Sequence, residues 1–311
     1  MQVHRSIEQL PRFKNSVITI GTFDGVHEGH QQIIEALKAE ARAVNGEAVI
    51  ITFDPHPRMI VHPHTHLHLI NTLEEKIELL SRTGIDHLVV VPFTKEFSDQ
   101  SAEAYIEHFL IGKFHPHSII IGYDHHFGHD RKGNFRLLEN NAAHFQYKLL
   151  EIPKHVLDSI GVSSTKIRKA IQESQIETAN RLLGYDFFFE GKVVPGDKLG
   201  RQLGYPTANL EYTSKEKIHL GHGVYAVNVE LDGKIKKGML SIGERPTLNR
   251  PGEKVEVNIF DFDQDIYGKI LRVTVKKFLR EQVKYDSLDL LIEQLHKDKE
   301  NSLKYFEGQA E

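Results

Sequence analysis

The chain has 311 residues, of which 40% are hydrophobic and 26% charged, so it is long enough for about two domains with ordinary buried cores. Its formal net charge of −4 gives no general attraction to nucleic acid or to an anionic membrane, and the lack of cysteine excludes disulfides, thiolate catalysis and cysteine-ligated zinc. Residues 1–15 are polar, without a secretory leader, and no apolar stretch approaches the roughly 20 residues of a membrane span. We therefore expect a cytoplasmic protein whose phosphate binding, if any, comes from local sites.

The amino-terminal half alternates short apolar runs with amphipathic segments. The apolar runs predict strands at 17–20, 48–53, 87–91, 118–121 and 147–152. The amphipathic segments predict helices at 31–44, 73–82, 102–111 and 134–144, with a capping box from Thr72 to Glu75 and a stop at Gly84 for the second of them. This alternation predicts a parallel sheet covered by helices on both faces, and ligands of such sheets bind beyond the carboxyl ends of the strands.

A segment rich in glycine and histidine follows the first predicted strand. Gly21 and Gly25 permit tight backbone geometry and close approach of a phosphate, and the next helix offers free N–H donors at its amino terminus. His27 and His30 are three residues apart, so they share a face at the start of that helix and can donate to anionic oxygens. The alternative interpretation is a glycine-rich turn with two surface histidines.

A second group of histidines lies further along the chain. Its members are His56, His62, His64, His66 and His68. Alternate residues of an extended segment face one way, and imidazole suits zinc or nickel. However, no carboxylate or cysteine completes a familiar spacing and Pro63 predicts a loop, so a metal site here rests on composition alone.

The carboxyl-terminal half changes from helical to strand-like periodicity. Two short helices are predicted at 167–171 and 176–183, and strands at 187–194, 223–231, 234–242, 255–261 and 270–278. Asp232 and Gly233 predict a tight hairpin between two of these strands. The succession predicts a compact antiparallel barrel followed by one amphipathic helix at about 287–305. The domain boundary is predicted after Gly184, giving domains 1–184 and 185–311.

A second glycine-rich segment, residues 196–209, lies near the start of this half. Gly196, Gly200 and Gly204 would let the backbone fold over nucleotide phosphates, and Thr207 supplies a hard oxygen to Mg²⁺. Asn209 can orient the same phosphate and metal. The segment is not a Walker A loop, because no Gly-Lys-Ser/Thr follows. A glycine-rich barrel turn is the alternative interpretation.

Both segments resemble signatures of the bacterial bifunctional riboflavin kinase/FAD synthetases, and the likeness runs from about residue 16 to residue 303. Residues 21–30 are similar to the HxGH signature of the nucleotidylyltransferase superfamily, and residues 163–168 to the family's Ser-Ser-Thr-x-Ile-Arg segment. Residues 196–210 resemble the riboflavin kinase motif, and further similar segments are 52–57, 73–76, 122–128, 241–247, 255–262 and 279–287. His125 stands where the family usually has an aromatic residue, Ser241 where Asn is common, and Asn258 where His is common.

The resemblance implies two sets of site residues. At an adenylyl-transfer site the implied catalytic residues are His27, His30 and Arg168, and the implied nucleotide-binding residues are Gly21, Phe23, Asp24, Gly25, Gly29, Asp124, Ser163, Ser164 and Thr165. At a kinase site Glu256 is the implied catalytic base, and the implied nucleotide-binding residues are Gly196, Gly200, Arg201, Gly204, Pro206, Thr207 and Asn209. Thr207 and Asn209 are also the implied Mg²⁺ ligands, and Arg280 and Tyr285 the implied flavin contacts.

The implied function is a transferase with two activities. Riboflavin would be phosphorylated to FMN by ATP in the carboxyl-terminal domain, with ADP as the other product. FMN would be adenylylated to FAD in the amino-terminal domain, with release of pyrophosphate. Mg²⁺ bound with ATP is the implied cofactor, and no nucleic-acid or membrane partner is expected. Two alternatives stay open, a riboflavin kinase with a degenerate amino-terminal half and a flavin-binding regulator without turnover.

Overall fold

The structure is a computed structural model, and it describes residues 1–123, 125–153, 161–196, 199–244 and 253–308, except for the side chains of residues 199, 202 and 244. The chain divides into two compact units, residues 1–164 and 165–311. No helix in the described ranges is long and apolar enough to cross a membrane.

The first unit is built on one parallel sheet. Its strands are β1 (Gln2–His4), β2 (Val17–Ile20), β3 (Ala48–Asp54), β4 (His87–Pro92), β5 (Ser118–Gly122) and β6 (Lys148–Ile152). They lie in the order β1-β4-β3-β2-β5-β6, and every neighbouring pair is parallel. Strands β2 to β5 are buried over most of their length, as their continuous β-branched and apolar runs require. The predicted sheet of this half is confirmed.

Helices connect the strands of the first unit. They are α1 (Glu28–Ala43), α2 (Pro57–Val61), α3 (Leu73–Ser81), α4 (Lys95–Ser98), α5 (Ala102–Ala104), α6 (Gly112–Phe114) and α7 (Phe135–Phe145), with a π-helical stretch (Tyr105–Ile111) between α5 and α6 and a 3₁₀ turn (His129–Arg131). The capping box of α3 is confirmed, because Thr72 and Glu75 each accept the other's backbone N–H. The helix ends at Ser81, before the predicted stop at Gly84.

Strand β1 was not predicted from the sequence. It pairs in parallel with β4 at the edge of the sheet. His4 Nε2 lies 3.1 Å from His87 Nδ1, and the ring of Phe13 packs edge-on against both imidazoles. Three residues carry too little periodicity to indicate a strand, so this pairing depends on contacts with residues far along the chain.

The second unit contains a closed barrel with helices before and after it. The helices are α8 (Ser164–Gln172), α9 (Ile176–Leu183), α10 (Leu199–Gln202) and α11 (Leu288–Glu307), of which α8 starts at the boundary between the units. The strands are β7 (Phe188–Val194), β8 (Ala208–Tyr212), β9 (Gly223–Leu231), β10 (Lys234–Glu244), β11 (Glu253–Ile259) and β12 (Ile270–Arg280). They close in the order β10-β11-β8-β7-β12-β9, each neighbouring pair antiparallel, which confirms the predicted barrel and carboxyl-terminal helix.

The hairpin between β9 and β10 has the predicted turn. Asp232 and Gly233 have φ values of +50° and +74°, the left-handed geometry that a two-residue I′ turn requires at both positions. Strand β8 was not predicted, because it begins at Ala208, two residues after Pro206 and inside the glycine-rich segment.

The two compact units divide after Ser164, the first residue of α8. Helix α9 groups with the barrel because the Asn180 side chain donates to the carbonyl of Val275 at 2.9 Å and accepts the N–H of Phe187 at 2.8 Å. Gly184 does end α9, with a left-handed φ of 80°. The division by function at Gly184 stays a prediction.

Candidate active sites

The first candidate site is the loop between β2 and α1, beyond the carboxyl end of β2. The N–H of Gly21 donates to the carbonyl of Ile51 at 3.0 Å, so the β2–β3 ladder extends by one bond. The backbone then turns sharply, with φ values of +48° at Phe23, +90° at Gly25 and +37° at Val26. Phe23 and Val26 are each 1% exposed, so burial of their side chains holds a backbone geometry that is unfavourable for both residues.

His27 and His30 form a reciprocal cap at the start of α1. His27 Nδ1 accepts the N–H of His30 at 3.4 Å, and His30 Nδ1 accepts the N–H of His27 at 3.3 Å. The two rings are stacked with their centroids 3.7 Å apart. Because both Nδ1 atoms accept, each neutral ring carries its proton on Nε2. The cap therefore fixes two Nε2–H donors beside each other.

His30 is held in its neutral form. Burial lowers its pKa well below the ordinary value, and the neighbouring His27 and Lys76 lower this pKa further. His27 is only 7% exposed, which contradicts the interpretation of this pair as surface histidines. A Cβ at Gly29 would lie 3.2 Å from Cε1 of the His27 ring, so glycine there leaves room for the stacked pair.

Asp24 ties the loop to the segment that precedes α3. Its side chain is buried, and Oδ1 accepts the N–H groups of Ile70 at 3.0 Å and Asn71 at 3.3 Å. Its backbone carbonyl accepts the hydroxyl of Ser164 at 3.0 Å. Asp24 therefore shapes the loop with its side chain, and its contact with a nucleotide stays a prediction.

Lys76 lies beneath the same loop and was not predicted as a site residue. It is 6% exposed, and its Nζ donates to the carbonyl of Thr22 at 2.7 Å and to Thr52 Oγ1 at 3.4 Å. The Thr52 hydroxyl donates to the same carbonyl at 3.1 Å. Burial lowers the pKa of Lys76, and the charges of Asp24 and Asp54 act to raise it.

One sequence signal pointed to this lysine. Leu79 and Leu80, three and four residues after Lys76, are buried core residues on the same face of α3. A lysine on the buried face of an amphipathic helix is unusual unless a partner compensates its charge. Position 76 was therefore recognisable as an exception to the pattern, although its partner was not.

The other implied residues of this site, apart from Ser164, come from other parts of the chain. Asp124 lies outside the described residues. Arg168 and Thr165 lie in α8 and belong to the second unit, and Ser163 directly precedes that helix. Their roles in nucleotide binding stay predictions.

The second candidate site lies where β8 and β11 run side by side in the barrel. Glu256 pairs across the ladder with Asn209. The hydroxyl of Thr207 donates to Glu256 Oε1 at 3.2 Å, and Lys254 Nζ lies 3.1 Å from the same oxygen. The barrel thus brings the implied base and both implied metal ligands together.

Asn209 has a polar atom that suits a ligand. Its Oδ1 is buried and has no hydrogen-bond partner among the described residues, a situation that costs about 1–3 kcal/mol. A Cβ at Gly196 would lie 1.9 Å from Asn209 Nδ2, and a Cβ at Gly200 would lie 2.3 Å from the carbonyl of Tyr205. The glycines therefore let the backbone approach closely, and the free acceptor fits a cation such as Mg²⁺.

The two departures from family usage in the barrel both make hydrogen bonds. Asn258 Nδ2 donates to the carbonyl of Pro206 at 2.7 Å, and Ser241 Oγ accepts from Gln282 Nε2 at 2.7 Å. Residues 245–247, at the end of a family-like segment, lie outside the described residues. Arg201 is largely exposed in α10 and lies 3.6 Å from Asp263.

Arg280 is engaged with the carboxyl-terminal helix. It donates twice from Nε and once from Nη2 to the buried carboxylate of Asp298, at 2.9, 3.1 and 2.7 Å. The ring centroid of Tyr285 lies 5.9 Å from the guanidinium carbon. This geometry anchors α11 to the end of β12, and flavin contact by Arg280 and Tyr285 stays a prediction.

The histidine tract gives no metal centre of its own in the described ranges. No group of three or more His, Cys, Asp or Glu residues there is placed to hold a metal ion. His56 instead caps α2, where its Nδ1 accepts the N–H of Arg58 at 3.1 Å.

Comparison with known proteins covers both units. Family models for FAD synthetase and riboflavin kinase match residues 10–166 and 183–306. A bifunctional riboflavin kinase/FMN adenylyltransferase from Haemophilus influenzae is 34% identical over 308 residues, covering 98% of this chain and 99% of that protein. The protein of the same name from Bacillus subtilis is 35% identical over 300 residues, covering 94% and 92%. A crystal structure described as a macrolide-efflux protein from Streptococcus pneumoniae superposes with a TM-score of 0.85 at 31% identity, covering 97% and 98%. The chain belongs to the family of bifunctional riboflavin kinase/FMN adenylyltransferases.

Proposed function

We propose that this chain phosphorylates riboflavin to FMN with ATP and then adenylylates FMN to FAD with release of pyrophosphate. The first reaction belongs to domain 185–311 and the second to domain 1–184. The observation that carries the proposal is the presence of two separate phosphate-handling geometries, the Nε2–H pair of His27 and His30 and the cluster of Thr207, Asn209 and Glu256. Each lies in the half of the chain that matches the corresponding family model.

Phosphorylation of riboflavin needs a base. A primary hydroxyl attacks the γ-phosphate of ATP and must lose its proton, and Glu256 is the proposed acceptor of that proton. Lys254 and Thr207 both bind its Oε1, which fixes the carboxylate. Because the Thr207 hydroxyl donates its proton to Glu256, its lone pairs point elsewhere. Thr207 Oγ1 and Asn209 Oδ1 would hold Mg²⁺, which when bound with ATP neutralises charge on the phosphates.

Adenylylation of FMN has different requirements. The attacking phosphate of FMN is already an anion, so no base is needed, and the task is to align two anions and to stabilise the departing pyrophosphate. The Nε2–H donors of His27 and His30 suit that task, since their orientation is fixed by the backbone of α1. Arg168, Ser164 and Thr165 are further proposed phosphate contacts.

Partners and location form part of the same proposal. The proposed ligands are riboflavin, FMN, FAD, ATP, ADP and pyrophosphate, and the proposed location is the cytoplasm. The net charge of −4 supports the absence of a nucleic-acid partner. Binding of RNA that weakens steeply with salt would contradict that part.

The test is a product assay with two variants. Purified protein is incubated with riboflavin and Mg·ATP, and FMN and FAD are separated by chromatography. His30→Ala should form FMN but lower FAD formation by on the order of 10²-fold or more. Glu256→Gln should lower FMN formation by a similar factor and still convert supplied FMN to FAD. His64→Ala, at an exposed position of the first unit, is the matched control. A wild-type protein that makes no FAD, or two folded variants that each lose both activities, would overturn the proposal.

A further inference from the structure

We propose that Lys76 is a positioning residue of the adenylyl-transfer site, where it fixes the Thr22 carbonyl and places a positive charge beneath the phosphate-binding loop. The inference rests on the proposed function of the first unit. It assigns a role to a residue of α3 at the end of the family-like segment 73–76, outside the HxGH and Ser-Ser-Thr-x-Ile-Arg signatures.

The start of α3 is tied to the β2–α1 loop at two points. Asp24 in the loop accepts the N–H groups of residues 70 and 71, directly before the cap of α3 at Thr72. Lys76, in the first turn of α3, returns to the loop by donating to the carbonyl of Thr22 at 2.7 Å. The two ties lie on either side of the cap, so they fix the loop relative to the first turn of the helix.

The hydrogen bond alone does not require a lysine. The Thr22 carbonyl already accepts the Thr52 hydroxyl at 3.1 Å, so it has a neutral partner in the adjacent strand β3. A buried ammonium is unfavourable, and here the charges of Asp24 and Asp54 offset part of the cost of its burial. The feature that a neutral side chain could not supply is the charge itself. The proposed substrates, a triphosphate and a phosphomonoester, bring several negative charges to this loop.

The charge also acts on the histidine pair. Apart from burial, the groups that lower the pKa of His30 are His27 from the loop and Lys76 from α3, and the acids that face Lys76 are Asp24 and Asp54. Lys76 therefore helps to keep His30 neutral, with its proton on Nε2. One residue thereby provides positive charge to the site while the imidazoles serve only as hydrogen-bond donors.

Three substitutions separate charge from hydrogen bonding. Lys76→Met removes both at similar length, and Lys76→Arg keeps the charge. Thr52→Val also keeps the charge but removes the hydroxyl that donates to the Thr22 carbonyl and accepts from Lys76 Nζ at 3.4 Å. Conversion of supplied FMN to FAD gives kcat and KM for ATP and FMN, and phosphorylation of riboflavin by the same preparations is the internal control. We expect kcat for FAD formation to fall by on the order of 10²-fold in Lys76→Met and by less than about tenfold in Lys76→Arg and Thr52→Val. Riboflavin phosphorylation should be unchanged in all three.

A pH profile distinguishes this role from simple support of the fold. Without Lys76 the pKa of His30 rises toward its ordinary value, so the acid limb of FAD formation should move to higher pH in Lys76→Met and stay in place in Thr52→Val. If Lys76→Met does not fold, Lys76→Gln replaces it under the same criteria. Equal losses in the methionine and valine variants, or a methionine variant with at least half of the wild-type kcat, would overturn the inference. A wild-type protein without FAD synthesis would instead overturn the proposed function.

Discussion

The ion pair of Arg280 and Asp298 should decide whether the carboxyl-terminal helix stays on the barrel. Asp298 is 1% exposed. Besides the three hydrogen bonds from Arg280, its carboxylate accepts a hydrogen bond from Gln294 Nε2 at 2.9 Å. Asp298→Ala would leave a guanidinium that is only 21% exposed without its counter-charge. Removing one partner of such a pair costs about 3–5 kcal/mol. Since about 1.4 kcal/mol corresponds to a factor of ten, opening of α11 should become on the order of 10²–10³-fold more frequent.

Hydrogen exchange followed by mass spectrometry is the suitable assay for this change. The chain has two compact units and no tryptophan, so a single global free energy of unfolding would neither be well defined nor convenient to follow by fluorescence. Peptides covering Leu288–Glu307 should exchange faster in Asp298→Ala by the factor above. Glu293→Ala is the matched control on the same helix, because its partner Lys297 is exposed, and it should leave exchange unchanged.

The same exchange measurement, combined with a measurement of riboflavin binding, tests whether Arg280 only anchors α11 or also contacts the flavin. If Arg280 only anchors α11, Arg280→Met should raise exchange as much as Asp298→Ala and should weaken riboflavin binding to the same degree. If Arg280 also contacts the flavin, Arg280→Met should weaken riboflavin binding further at equal exchange. Acceleration of less than about fivefold in Asp298→Ala would refute the reasoning from burial.

Other positions give equally direct tests. Gly196→Ala places a Cβ 1.9 Å from Asn209 Nδ2. The kcat for riboflavin phosphorylation should therefore fall by on the order of 10²-fold, while FAD synthesis from FMN persists. Retained kinase activity would contradict the close packing of Gly196 against Asn209. Asn258→Leu removes a hydrogen bond to the turn before β8 and should lower kinase kcat in the same assay, whereas Asn258→His, the residue common in the family, should retain more activity than leucine. Burial acts to raise the pKa of Glu40, but the hydrogen bond from Lys148 holds this pKa below its usual value. The Glu40 carboxylate therefore stabilises the fold above about pH 4.5 and loses that effect as the pH falls through its pKa in the folded protein. The gap between wild type and Glu40→Gln in the melting temperature of the first unit should thus be present at pH 7 and close in acid.

The fold was predictable where burial imposes a pattern. Strands β2 to β5 consist largely of β-branched and apolar residues and are buried over most of their length, so their positions follow from the sequence almost to the residue. Edge strand β1 escaped prediction because its pairing depends on contacts around His87. Strand β8 escaped because glycine and proline dominate the segment before it.

The site residues were predictable as types, but their arrangement was not. Glu256 and Asn209 are 47 positions apart, and only the register between β11 and β8 makes them partners. The mutual cap of His27 and His30 uses ring nitrogens and backbone N–H groups, and this arrangement required the turn at Phe23 to Val26. The three-residue spacing predicted only that His27 and His30 share a face of the helix. It did not determine which nitrogen of each ring carries the proton.

The two proposed reactions place opposite demands on charge, and the two sites differ accordingly. Riboflavin offers a neutral hydroxyl, and the proposed base for it is the carboxylate of Glu256, whose orientation Lys254 and Thr207 fix. FMN offers an anion, and an exposed carboxylate beside it would repel this nucleophile. In the first unit the carboxylate of Asp24 is buried and accepts backbone N–H groups, and Lys76 lies beneath the loop. The histidines can then remain neutral donors without leaving the site short of positive charge. The roles proposed for the charged residues near each site thus differ according to whether the attacking group must lose a proton.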